Sequence, residues 1–385
     1  MDIAVILIAI AAVAVVALFI GGRALAAQAM RKLLASGRAA MQAADFQASE
    51  QFFLKAQQLI AKLNGAESRA GMEATLGLGM ACAQQGRYDD ALRYFRRAEE
   101  AIAKTLGANS PYLAEAYWPI GWVHTQRGHL KEAEDSLIQA LQLSEAATRG
   151  DNARIHSVVA ALGWLYFQQG RSEQAEPFLR RSVKLAEKIY GRTSSESASA
   201  LTNLGWLFMR ADQLKEAEKC FRKAVFINSR LFGENHARIA NTLSALGTLY
   251  IQAGKYRNAE LCLTRALELH RKLGSEKTLS NASALTSLAG LLMEQKKFDE
   301  ALPHLEQALE LCEKLSGDSI QTATVLSNLA EISAAKNDFL GAQKLQQRVL
   351  TIKQKFLGVK HPEVACELER YDDFSRATTG QHKRI

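Results

Sequence analysis

Eight histidines, five cysteines and four tryptophans carry most of the chemistry open to this chain. His124, His129, His156, His270 and His304 fall at unrelated places, while His236 and His361 recur at one equivalent turn. No His-x-x-x-His or His-Glu-x-x-His pair occurs, the spacings that set two imidazoles on one helix face for a metal. Cys82, Cys220, Cys262, Cys312 and Cys366 contain no Cys-x-x-Cys pair. Their odd number argues against a disulfide framework and their spacing against structural zinc, so they read as small buried hydrophobes in a reducing compartment. There is no glycine-rich phosphate loop and no Gly-x-Ser-x-Gly elbow. The expectation is a protein that is not an enzyme and holds neither metal nor cofactor.

The tryptophans are spaced more tellingly. Trp122, Trp164 and Trp206 lie 42 residues apart, and each follows a glycine. Trp118 lies one helical turn before Trp122, with Pro119 between them. A helix-interior proline removes one hydrogen bond and kinks the helix. The chemistry of a repeated indole is burial, of the protein's own helices or of a partner's side chains. Leu162, Gly163 and Tyr166, or Leu204, Gly205 and Phe208, already supply the apolar stripe of these segments. An exposed ladder is therefore the expectation, with packing against neighbouring helices as the alternative.

The elements that position these residues follow from the same interval. LGWLYFQQGRSEQAE, LGWLFMRADQLKEAE and LGTLYIQAGKYRNAE begin at Leu162, Leu204 and Leu246. The frame extends both ways: a small residue recurs at Gly37, Gly79, Gly121, Gly163, Gly205, Gly247, Ala289 and Ala330, the last interval being one shorter. Leu201, Leu204, Gly205 and Phe208 fall at i, i+3, i+4 and i+7, one helical stripe, and Ala259, Leu263, Ala266 and Leu267 form a second after a turn at Gly254. Each unit thus reads as two helices that cross where one presents Gly or Ala. One pair cannot bury its apolar face alone, so pairs stack into a solenoid. With 5 prolines in 385 residues, an all-α chain with few loops is expected.

This pattern, L-x-x-L-G-x-L-Y…G-x-Y…A-E…A-L…L-G…H-P, is clearest at Leu243 to Gly274 and Phe356 to Ala365. It resembles the tetratricopeptide repeat family, in the 42-residue form of kinesin light chains. The resemblance implies a right-handed superhelical solenoid of about eight helix pairs over 30–357, with a capping helix at 358–377 and a basic tail at 378–385. The heptad region by which kinesin light chains join heavy chains has no counterpart, so a motor-adaptor role does not carry over. The resemblance also implies that the first helices line a concave, peptide-binding groove. Trp118, Trp122, Trp164 and Trp206 would face it, among Gln84, Gln126, Gln168, Asn203, Asn241, Asn328, Ser157, Thr202 and Gln252, with Arg210 as the central cation. Asn and Gln would pair with the backbone of an extended peptide while Trp takes its side chains. The Lys, Arg and Asn cluster of the carboxylate-clamp subclass is absent.

Ahead of the repeats, Ile3 to Ile20 are apolar without interruption. At about 1.5 Å per residue they reach about 27 Å, nearly a bilayer core. The segment 1–22 is expected to be a transmembrane anchor, followed by a basic link at 23–29. Arg23, Arg31, Lys32 and Arg38 precede the next acid, Asp45. Positive flanks stay inside. The expected placement is a single-pass membrane protein, N-terminus out and repeats cytoplasmic, from a bacterium. The alternative is cleavage near Ala24-Leu25-Ala26, giving a periplasmic or secreted envelope-assembly factor. Net charge is +8, but 48 basic residues are dispersed among 40 acids with no run that tracks phosphates, so no nucleic-acid partner is expected. The sequence reading is a membrane-anchored scaffold for a protein or peptide segment.

Overall fold

Seven of the turns that join the two helices of a repeat share one backbone device, a residue with positive φ. Gly254 has φ +68° there, and the same turn is made by Asp212, Lys296 and Asn337 at φ +56°, +60° and +64°. Asp and Asn enter this region readily, while lysine does so at a steric cost. The tight turn fixes the second helix antiparallel to the first.

The computed structural model describes residues 25–43, 45–63, 67–147, 153–359 and 361–379. Among these, all regular structure is helical: seventeen α-helices and one 3-10 turn. The chain divides into two compact units, Met1–Val123 and His124–Ile385. In unit one are α1 (25–42), α2 (Phe46–Lys62), α3 (Arg69–Gln84) and α4 (Tyr88–Leu106). The 3-10 turn Pro111–Leu113 and the opening of α5 (Ala114–Gln126) complete it. Unit two takes the end of α5 and continues with α6 (Leu130–Ala147), α7 (Ala153–Gln168), α8 (Ser172–Ile189), α9 (Ser195–Arg210) and α10 (Leu214–Phe232). Then follow α11 (Ala237–Gln252), α12 (Tyr256–Lys272), α13 (Leu279–Glu294), α14 (Phe298–Ser316), α15 (Ile320–Ala335), α16 (Phe339–Leu357) and α17 (Pro362–Thr378).

Helices α3, α9, α11, α13, α15 and α17 open on side-chain caps that satisfy otherwise orphaned N–H groups. Ser68, Ser194, Thr278 and Ser319 accept from the backbone N–H three residues on. His236 and His361 accept through Nδ1 from Arg238 and Glu363. These two histidines are thus part of the inter-repeat turn.

Packing follows the small-residue column. Sixteen residues after each small position stands a buried partner: Phe53, Phe95, Leu137, Leu179, Phe221, Leu263, Leu305 and Gln346. A methyl on Gly205 would stand 2.7 Å from the Phe221 ring, which is why the helices cross there only over glycine. In unit one, Leu34, Phe53, Ile60, Ala74 and Leu78 form one apolar cluster, and Cys82, Leu92, Phe95, Ile120 and Val123 form the next. In unit two the clusters recur along the stack, as at Leu285, Leu305, Cys312, Leu329 and Ile332.

The expected placement in a membrane is corrected. Among the described residues no helix is long and apolar enough to cross one. Second helices such as α10, with Lys215, Glu216, Glu218, Lys219, Arg222 and Lys223, set a charged face against their apolar stripe, which suits packing on one side and water on the other. Helix α1 carries Arg31, Lys32 and Arg38. Ile3 to Ile20, on which that expectation rested, lies outside the described residues, as does most of the tail (380–385).

Candidate peptide groove

In unit two the odd-numbered helices pack on one another in sequence: α7 on α9, α9 on α11, α11 on α13 and α13 on α15. Among the described residues no even-numbered pair approaches comparably. The stack therefore curves with the odd helices on its inner side. Polar links cross this row, from Thr248 Oγ1 to Ser287 Oγ (3.0 Å) and from the Gln321 amide to the Leu279 carbonyl (2.8 Å).

Trp164 and Trp206 sit at equivalent points of α7 and α9, and both are half-buried. Trp164 stacks on Phe167, one turn along the same helix, at 5.0 Å between centroids and 28° between planes. Trp206 meets Phe221 of α10 edge-on at 5.7 Å and 73°. Each indole thus has one face on its own protein and keeps part of its area in solvent. Each ring is thereby ordered by its own protein on one side and solvated on the other.

Arg210 ends α9 and is held from three sides. Its guanidinium lies 4.0 Å from the Phe167 ring centroid, donates to the Phe167 carbonyl and faces Glu363 at 3.8 Å. Burial lowers its pKa and Glu363 opposes the shift. Gln252, the corresponding end of α11, likewise donates back to the Met209 carbonyl and to Asp212, both at 3.3 Å. These side chains satisfy the last carbonyls of the preceding first helix. They are committed to the stack, whereas Gln126, Gln168 and Asn203 stand half-buried along the inner row.

Unit one carries Gln84, exposed at the end of α3, and the half-buried Trp118 and Trp122 of α5. Trp122 packs beside Cys82, Leu92 and Phe95. The sequence reading missed Phe167, though its i+3 spacing from Trp164 was visible, and missed Glu363, for which no local signal exists. Burial pushes the Cys82, Cys220 and Cys312 thiols up to about 11, so they are protonated and unreactive at neutral pH. Among the described residues no group of three His, Cys, Asp or Glu side chains could hold a metal ion.

Stacked antiparallel helix pairs with a polar inner row and recurring aromatics define a helical-repeat protein. A model of the tetratricopeptide repeat matches residues 26–101, 71–146, 153–225, 207–272 and 280–355. The chain belongs to the tetratricopeptide repeat family. A search of the curated proteins found no match. Among solved structures, it resembles a Rap protein complexed with Competence and Sporulation Factor: 14% identity, 86% of this chain and 99% of that one covered, TM-score 0.61. It is also similar to the Rap conjugation gene regulator of plasmid pLS20 in complex with the Phr* peptide (13% identity, 87% and 98% covered, TM-score 0.60). A third is the apo form of the quorum sensor NprR from B. thuringiensis (17%, 84% and 87%, TM-score 0.58). At these identities the likeness is one of fold.

Proposed function

We propose that unit two is a scaffold that binds a peptide, or an extended segment of a protein, along its inner row of odd-numbered helices. Trp164 and Trp206 are the apolar seats, and Gln126, Gln168 and Asn203 pair with the ligand backbone. Arg210 and Gln252 frame the row from its edge. In unit one, Gln84, Trp118 and Trp122 offer a second set of the same chemistry. The repeat array is assigned to 30–357, in the 42-residue form of kinesin light chains, with 358–377 as its cap.

The observation that carries this reading is the pair of half-buried indoles at one repeat position, each braced by a phenylalanine. If a ligand covers the outer half of each, about 75–125 Å² becomes buried. At about 25 cal/mol per Å² that contributes roughly 2–3 kcal/mol per indole before ordering costs, the scale of an interface hot spot. Two of the similar structures are complexes, one with Competence and Sporulation Factor and one with the Phr* peptide, which favours a peptide ligand over a folded domain.

A displayed library of random peptides, selected on the full chain, tests it. Peptides with spaced apolar residues should enrich on the wild type and be lost on Trp164→Ala/Trp206→Ala, with helicity by circular dichroism unchanged. Equal enrichment on both proteins would sink the assignment.

A further inference from the structure

Three successive repeats of unit two each meet one residue from its far end. At the α5–α6 turn, Gly128 lies against Phe356 of α16: a methyl there would stand 2.2 Å from the ring. At the α7–α8 turn, the Gln169 carbonyl lies 3.1 Å from His361 Nε2. Because His361 Nδ1 accepts the Glu363 N–H, the ring proton sits on Nε2 and donates to Gln169. At the end of α9, Arg210 faces Glu363 Oε1 at 3.8 Å, while Oε2 accepts from Lys353 at 3.2 Å. The order of the contacts along the turns matches their order along the chain. Unit two therefore curls until its last helices touch its first turns.

We propose that Phe356, His361 and Glu363 form a latch that holds unit two closed, and that opening it exposes the outer face of Arg210 beside the Trp164–Phe167 stack. Its regulatory meaning rests on the groove reading above; its existence does not. The contacts suit a reversible device. One is a single neutral hydrogen bond, one is an ion pair too long for a hydrogen bond, and one is an aromatic edge on a glycine. Each changes an equilibrium by roughly 2- to 10-fold, not by orders of magnitude. The helix that carries His361 and Glu363 is docked on α16, which carries Phe356, through Lys353 and Gln346 to Glu367 at 2.8 and 2.6 Å, so the two helices hold together as one arm. Unlatching thus need not undock α17.

The test measures one distance in the full chain by pulsed electron resonance. One spin label goes on the native, exposed Cys366 and the other on Glu173→Cys, an exposed position in α8. Cys262, half-buried, is replaced by serine, and the remaining cysteines are buried. The wild type should give one narrow, short distance. His361→Ala/Glu363→Gln should add a longer, broader component, the closed-to-open ratio falling by roughly 2- to 10-fold for each latch interaction removed. Arg210→Gln, made from the opposite side, should act in the same direction and decides the matter if the double variant loses helicity. Wild-type distance distributions in both would overturn the latch. Peptide selection is read separately, so the latch and the groove can fail independently.

Discussion

Phe221 and Gln346 occupy one and the same place in the repeat, sixteen residues after Gly205 and Ala330. Both side chains are buried. In the fifth repeat the place is filled by a ring wedged over a glycine and capped by Trp206. In the eighth it is filled by an amide that donates to the Glu367 carboxylate and, at 3.0 Å, to the Glu367 carbonyl. Seven residues on, the contrast repeats: Ile60 and Ile102 in early repeats become Asn228, His270 and finally Lys353. An interior repeat has an apolar neighbour on either side, so apolar burial serves it best. The last repeat has only α17 beyond it, whose buried contacts are Val364 and Glu367. There a polar network, Glu331–Arg370–Glu367–Lys353, sets the seat of a single helix. At this edge paired charges stand beside the buried Val364, and such charges specify register more than they stabilise.

The comparison breaks hardest at Phe221. Phe221→Ala should lower the unfolding free energy by about 3–5 kcal/mol in urea titrations followed by circular dichroism, because a ring-sized void opens under Gly205. A cost under about 1 kcal/mol would mean that the fifth repeat is not packed as described. Glu367→Ala should cost about 3 kcal/mol, since Lys353, with only 11% of its side chain exposed, is left without its main counter-charge. Lys353→Met/Glu367→Leu should recover most of that loss while loosening the docking of α17, read by hydrogen exchange. If the double variant is as damaged as the single one, the network is stabilising in its own right. Gly205→Ala should cost about 1–3 kcal/mol by pushing Phe221 aside. Ala289 already carries a methyl opposite Leu305, so Ala289→Gly should not reverse that effect elsewhere.

The smallest effect is a pH dependence. Burial holds His156 and His270 below the ordinary imidazole value of 6.5. The unfolded chain takes up these protons as pH falls below about 6.5, and the folded chain does so only further down. Their contribution is therefore fully present above 6.5 and is lost with acidification, by at most about 1.4 kcal/mol per group for each pH unit. Melting temperatures at pH 7.5 and 5.5 should differ less in His270→Leu than in the wild type. Glu367 behaves alike but lower. Burial raises its pKa, and the Lys353 and Gln346 bonds outweigh that, so its contribution is fully present above 4.5 and is lost as pH falls below that value.

Much of the fold could be read from the sequence because each repeat states its own packing. The glycine at 205 and the bulky residue at 221 lie in one unit, and the interval of 42 carries them along the chain. The tryptophans at 164 and 206 were visible for the same reason. The partners of Arg210 and His361 were not. They arise from the curvature of the stack, a sum of small rotations between repeats that no single segment encodes. Gln346 and Lys353 did leave a trace, as polar residues in columns that are otherwise apolar or small. Phe167 was masked by its place in a stripe that reads as ordinary core.

The central claim is that Trp164 and Trp206 receive the ligand, and tryptophan emission tests it most directly. In a chain with Trp118→Phe and Trp122→Phe, only these two indoles report. Titrating a library-selected peptide should give a saturable change in their emission, with the dissociation constant found by calorimetry. Calorimetric binding with no change in emission would place the ligand elsewhere and contradict the account.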